Sequence, residues 1–113
     1  MAFDDSLGAR VRAALAATPG LAEKTMFGGL CFLINGHMCA GIVGRTLMVR
    51  IGPDGYAGAL AEPHVRPMDF TGRPMTGMVF VDPPAIATEG GLTAWVTRGA
   101  RYAASLPPKP ATP

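Results

Sequence analysis

The chain has 113 residues, enough for one domain whose core needs no disulfide or metal to hold it. Its hydrophobic fraction of 49% against 16% charged residues excludes a disordered polypeptide. A net charge of +2, with eight arginines among ten basic residues and no two of them adjacent, gives no basic field of the kind that nucleic-acid binders display.

The opening "MAFDDSLGAR" has two aspartates where a signal peptide needs positive charge, and no apolar run follows. A cytoplasmic location is therefore expected, with both cysteines as free thiols. Asp4, Asp5 or Ser6 caps a first helix running to about Thr18, with Leu7, Val11, Ala14 and Leu15 on one face. Pro19-Gly20 ends it. The pattern is strand-like from Glu23, and Gly28-Gly29 interrupts it as a bulge or sharp bend would. Gly28 to Val43 is the most apolar stretch, but Asn-Gly-His divides it, so it is no membrane span. Asn35-Gly36 is a strong two-residue hairpin signal, and Gly44-Arg45 suits a second turn with glycine first. The result is a meander of Leu30 to Ile34, His37 to Val43 and Thr46 to Ile51.

Pro53-Asp54 opens a short helix to about Ala61. Residues 62–76 hold three prolines and read as an irregular connection, with room for a short edge strand around Met68 to Phe70. Gly77 to Val81 is a further strand, stopped by Asp82-Pro83-Pro84. A last helix runs from about Thr88 to Ser105, with Leu92, Trp95, Val96, Gly99, Tyr102 and Ala103 on one face. Residues 1–105 form the domain, and 106–113 are expected to be a disordered proline-rich tail.

Both cysteines and one of the two histidines fall in "CFLINGHMCAG". A two-residue loop at Asn35-Gly36 pairs Ile34 with His37, Leu33 with Met38 and Phe32 with Cys39. The loop at Gly44-Arg45 pairs Ala40 with Val49 and Cys39 with Arg50. Strict alternation then puts Cys31, Leu33, Met38, Ala40, Ile42, Leu47, Val49 and Ile51 on one face, expected to lie under the terminal helices. The other face carries Phe32, Ile34, His37, Cys39, Val43, Thr46, Met48 and Arg50. In this register the cysteines are on opposite faces and cannot pair. A three-residue loop would bring them opposite each other. Cys31 reads as a small buried hydrophobe, and Cys39, beside Arg50, as the more reactive thiol. The second face is too apolar for a plain solvated surface. A second copy of the chain, a protein partner or a lipid-like ligand is expected on Phe32, Ile34, His37, Cys39, Val43, Met48 and Arg50.

Little else points to chemistry. Ser6 and Ser105 are the only serines, and neither stands in a nucleophile elbow. There is no phosphate-binding loop, dinucleotide fingerprint, CxxC or HExxH. A Cys39/His37 nucleophile pair is the enzymatic alternative. A zinc site would need Cys39 plus distant carboxylates, to which the Glu62-Pro63-His64 segment could contribute. Asp69 and Asp82 near strand ends could do acid–base work, though an aspartate before proline more often opens a turn. Arg45, Arg50, Arg66 and Arg73 are the candidates for phosphate contacts. No catalytic residue, metal or cofactor is assigned.

The order "MFGGLCFLINGHMCAGI" (Met26 to Ile42), "LMVRIG" (Leu47 to Gly52) and "GMVFV" (Gly77 to Val81) resembles the TfoX N-terminal domain family over roughly residues 5–105. The resemblance implies an α+β fold of two layers: an antiparallel β-meander with N- and C-terminal helices packed on one face. It also implies a regulatory role, since named members act on the transcription of bacterial competence genes beside a cyclic-nucleotide-responsive activator. The family offers no catalytic residues to carry over. The expectation is a small bacterial regulatory or adaptor domain working by protein–protein contact as a homodimer.

Overall fold

Asp4 starts the first helix. Its Oδ1 accepts from the backbone N–H groups of Ser6 (2.8 Å) and Leu7 (3.1 Å), satisfying two donors that a helix start leaves free. Its own N–H donates to the Gly44 carbonyl (2.8 Å), which anchors the helix to a sheet turn. The computed structural model describes residues 4–26, 28–68 and 76–107. Helix α1 spans Asp5–Leu15 and buries Leu7, Val11 and Leu15 at four-residue spacing. It ends three residues before the expected Thr18, whose N–H bonds the Leu15 carbonyl (2.9 Å) in a tighter turn.

Among the described residues six strands follow: β1 (Leu21–Met26), β2 (Gly29–Ile34), β3 (His37–Val43), β4 (Thr46–Arg50), β5 (Val65–Pro67) and β6 (Met78–Val81). All pairings are antiparallel, in the order β1-β2-β3-β4-β6-β5. The interruption at Gly28-Gly29 is a hairpin turn, because Met26 pairs with Gly29 and β1 folds back along β2. At the next turn Asn35 and Gly36 have φ of 53° and 86°, the left-handed pair that a tight hairpin demands. Gly44 has φ of 58°, as the glycine-first turn requires. The edge strand expected at Met68 to Phe70 forms earlier, at Val65–Pro67; Asp69 and Phe70 lie outside the described residues. Helix α2 is short, Tyr56–Leu60, and a 3-10 turn over Pro83–Ile86 leads into α3, Glu89–Ser105. Thr88 caps α3, its Oγ1 accepting from the Gly91 N–H (3.0 Å). The Pro107 carbonyl lies 2.6 Å from His37 Nε2, and residues 108–113 of the expected tail lie outside the described residues.

Strict alternation fails at one residue. β2 and β3 pair Leu33 with Met38, but Phe32 with Ala40. Cys39 is the extra residue of a β-bulge, and the strand changes phase there. Phe32, Ile34 and Cys39 therefore lie in the buried cluster shared with α1 and α3, together with Leu30, Ala40, Ile42, Leu47, Val49, Val79 and Val81. Cys31, Met48, Met78 and Phe80 gather in a separate cluster on the other face, with Leu33, Met38 and Val43 packed at its margin. The expected placement of β2 is inverted, whereas Ala40, Ile42, Leu47 and Val49 lie under the helices as alternation puts them.

Helix α3 crosses this bulge closely. A Cβ on Gly99 would run into the Cys39 carbonyl oxygen and stand 3.1 Å from Val49 Cγ1, so only glycine fits at the crossing. At the other end Arg10 of α1 ties the two helices together. Its Nε donates to Glu89 (2.7 Å) and its Nη2 to the carbonyls of Ile86 (2.7 Å) and Thr88 (3.3 Å). The fold is α+β in two layers, one antiparallel sheet with the terminal helices on one face.

Candidate interaction face

The face away from the helices is built from alternate residues of the central strands. Cys31 and Leu33 come from β2, Met38, Gly41 and Val43 from β3, Met48 from β4, and Met78 and Phe80 from β6. Met68 joins them just past β5. Gly41 opposes Met48, and a Cβ there would meet the Met48 methyl at 2.5 Å, so the flexible methionine fills the space over the glycine. Four of the chain's seven methionines belong to this face, which makes it apolar and deformable. Its middle is well packed, with Met48 2% exposed, while Leu33, Met38 and Val43 remain half-exposed at one end.

The seven residues expected to form an outer contact surface are thus divided. Val43 and Met48 are on the outer face. Phe32, Ile34 and Cys39 are not, because the bulge at Cys39 turns them under the helices. His37 pairs with Ile34 and reaches the segment after α3, its Nε2 on the Pro107 carbonyl. Its Nδ1 is buried without a hydrogen-bond partner among the described residues. Arg50 pairs with Met78 on the β6 side and stacks over the Tyr102 ring, 5.4 Å from its centre, while the β3–β4 ladder ends at Ala40 and Val49, one step short of a pair between Cys39 and Arg50. Sequence reasoning missed Cys31, Leu33, Met38, Met68, Met78 and Phe80 as members of this face. The signal lay in the adjacent small apolar residues Cys39-Ala40-Gly41, a run that a bulge accommodates, and in "GMVFV", whose faces alternation alone leaves unassigned.

The thiols keep to opposite sides of the sheet, with their expected sides exchanged. Both are free and buried. Burial pushes the Cys39 thiol up to about 11, against weaker help from backbone hydrogen bonds. Burial also raises Cys31, with the charge of Lys24 pulling the other way. Cys39, fully buried, has neither the exposure nor the electropositive neighbourhood that favours a reactive thiol. Alkylation of the native protein with iodoacetamide is expected to label neither cysteine faster than the protein unfolds, and both once it is denatured. Rapid native labelling of Cys39, read by mass spectrometry, would contradict its placement.

The other candidates are spread through the fold. No hydrogen bond joins His37 to Cys39 among the described residues. Glu62 is paired with Arg98 (2.7 Å), and His64 is exposed at the start of β5. Asp82 is paired with Arg66 through two bonds of 2.8 and 2.9 Å, and that guanidinium holds its carboxyl below the usual range. Among the described residues no group of three His, Cys, Asp or Glu side chains is placed to hold a metal. Arg45 is exposed in the turn before β4, Arg50 is at the other end of that strand, and Arg73 lies outside the described residues. A pocket of about 180 Å³ lies between Asp4, Arg10, Arg45 and Ile86, but Asp4 already caps α1 and Arg10 is engaged with α3. No helix among the described residues is long and apolar enough to cross a membrane.

No curated protein and no solved structure matches the chain. The family model of the TfoX N-terminal domain matches residues 13–103, from within α1 to near the end of α3, and so takes in the whole sheet and the bulge at its centre. With four-fifths of the sequence and every strand inside that match, the chain belongs to the TfoX N-terminal domain family.

Proposed function

We propose that this is a small regulatory or adaptor domain that acts through protein–protein contact and pairs with a second copy of itself through the outer sheet face. The observation that carries this reading is the composition of that face: eight apolar side chains from β2, β3, β4, β6 and the segment after β5, opposite the helices, with Leu33, Met38 and Val43 still half-exposed. Five of the eight are buried within the chain itself, so the partly exposed Leu33, Met38 and Val43 are what a partner would cover, and a two-fold pairing would bury them centrally. Membership of the family supports a role in the transcription of competence genes in a bacterial cytoplasm.

Catalysis through Cys39 and His37 gains no support from a thiol raised by burial and an imidazole engaged with Pro107. Of the arginines expected to contact phosphate, Arg66 is paired with Asp82 and Arg50 stacks on Tyr102, while Arg45 is exposed, so phosphate binding gains little support.

Sedimentation tests the proposal. The parent is expected to be a dimer at high concentration, and Met38→Glu or Val43→Glu a monomer with an unchanged circular dichroism spectrum, because both side chains are at the open margin. A parent that stays monomeric at the highest attainable concentration would remove the dimer from the reading.

A further inference from the structure

The sheet has two unequal edges. β5 is three residues long and ends in Pro67, which has no N–H to offer, so that edge is blunted. β1 is six residues long, and no strand among the described residues pairs with its outer side. Ala22, Glu23, Lys24 and Thr25 are all exposed. Its backbone thus presents a row of donors and acceptors in extended geometry, the arrangement by which a sheet accepts an added strand.

The side chains decide what strand fits. Glu23 pairs with Phe32 and so faces the helices, where Arg12 grips its carboxylate through two bonds of 2.6 and 2.8 Å. Its charge is matched within the chain. Lys24 pairs with Cys31 and faces the other way, with no ion-pair partner among the described residues. Two residues earlier on that face Ala22 pairs with Leu33, which in turn pairs with Met38. The small alanine leaves the flank of these half-exposed side chains open to a neighbour beyond β1.

A second copy is a poor occupant. A two-fold axis normal to the sheet preserves its faces, so paired residues must share parity. The two registers that use most of β1 centre on Glu23 or on Lys24 and set like charges directly opposite each other, which destabilises a strand pair.

We infer that β1 is an acceptor edge for an extended segment of a different protein, paired antiparallel, with an acidic residue across from Lys24 and an apolar residue across from Ala22. Read from its N-terminus the segment runs acidic, polar, apolar, the middle side chain lying beside the Glu23–Arg12 pair. This inference concerns the edge of the sheet and stands whether or not the outer face forms a dimer.

The probe is the capped peptide acetyl-Val-Thr-Glu-Thr-Val-Thr-amide, added at millimolar concentration to the isotope-labelled full chain. Amide shifts are expected to change in β1 and the adjoining β2, and exchange of the β1 amides to slow. A peptide with lysine in place of glutamate is expected to bind about two- to fivefold more weakly, the worth of one exposed ion pair. The variant Lys24→Glu, checked for folding by circular dichroism, is expected to invert that preference. A peptide N-methylated on the edge that meets β1 is expected not to bind. Unchanged β1 amides with every peptide, binding indifferent to N-methylation, or concentration-dependent protection of β1 in the protein alone would each overturn the inference, the last by giving the edge to a second copy.

Discussion

Phe32→Ala is expected to cost about 3–5 kcal/mol of stability, the range for emptying a fully buried aromatic position. Phe32 is 0% exposed and lies in the cluster shared by β2, β3, α1 and α3. Its cross-strand partner is Ala40, too short to fill the space that the ring leaves. The loss therefore combines transfer of the ring from the core with a cavity that close-packed neighbours only partly close. Were the sheet regular through Cys39, Phe32 would be on the opposite face beside the partly exposed Leu33, Met38 and Val43, and truncation there would cost distinctly less. Urea unfolding followed by the fluorescence of the single tryptophan separates the two outcomes. A midpoint near that of the parent would mean that β2 keeps the regular register and that the bulge is absent.

The same bulge explains which parts of the fold could be read from the sequence. The turns could, because each has a chemical marker. Asn35-Gly36 and Gly44 take left-handed angles that few other residues accept, and Asp4 and Thr88 cap the helices that follow them. The order of α1, β2, β3, β4 and α3 followed from these markers, and the two-layer architecture from the family resemblance. The phase of β2 could not be read, because both faces of the sheet are buried there. Phe32 and Leu33, Ile42 and Val43, Leu47 and Met48 are neighbouring apolar pairs that face opposite ways. With no polar residue to mark the solvent side, alternation has no fixed origin, and one extra residue at Cys39 shifts the pairing unnoticed. The error passed to the site, since Cys39, Ile34 and Phe32 were assigned outward on that count. β1 escaped for a different reason: Gly28-Gly29 fits a bend within one strand as well as a turn between two, and only the pairing of Met26 with Gly29 distinguishes them.

Trp95→Ala is the second large effect, again about 3–5 kcal/mol, and it tests the helix side of the core instead of the sheet side. Trp95 is 6% exposed within the cluster that holds Ile42 and Val49, as its place on the apolar face of α3 predicts; Leu33, also expected beneath it, is on the far face of the sheet. Arg98 stacks on the ring, 4.1 Å from its centre, while its guanidinium reaches Glu62. That stacking contributes about 0.5–1 kcal/mol at an exposed position, and the ion pair little more, so neither rivals the cavity. Trp95→Phe keeps an aromatic ring in the site and is expected to lose distinctly less than the alanine variant. Thermal melts by circular dichroism measure both, since the fluorescence reporter is gone. For a domain of this size the alanine variant is expected to melt on the order of 15 °C below the parent. Gly99, one turn further along the same helix face, lets α3 approach the Cys39 carbonyl, so the tryptophan is held at a fixed height above the sheet. Lifting the helix to refill the cavity would break that contact, and little relaxation is available. A variant that melts within a degree or two of the parent would mean that α3 docks through Leu92, Val96 and Ala103 alone and that the ring only covers its edge.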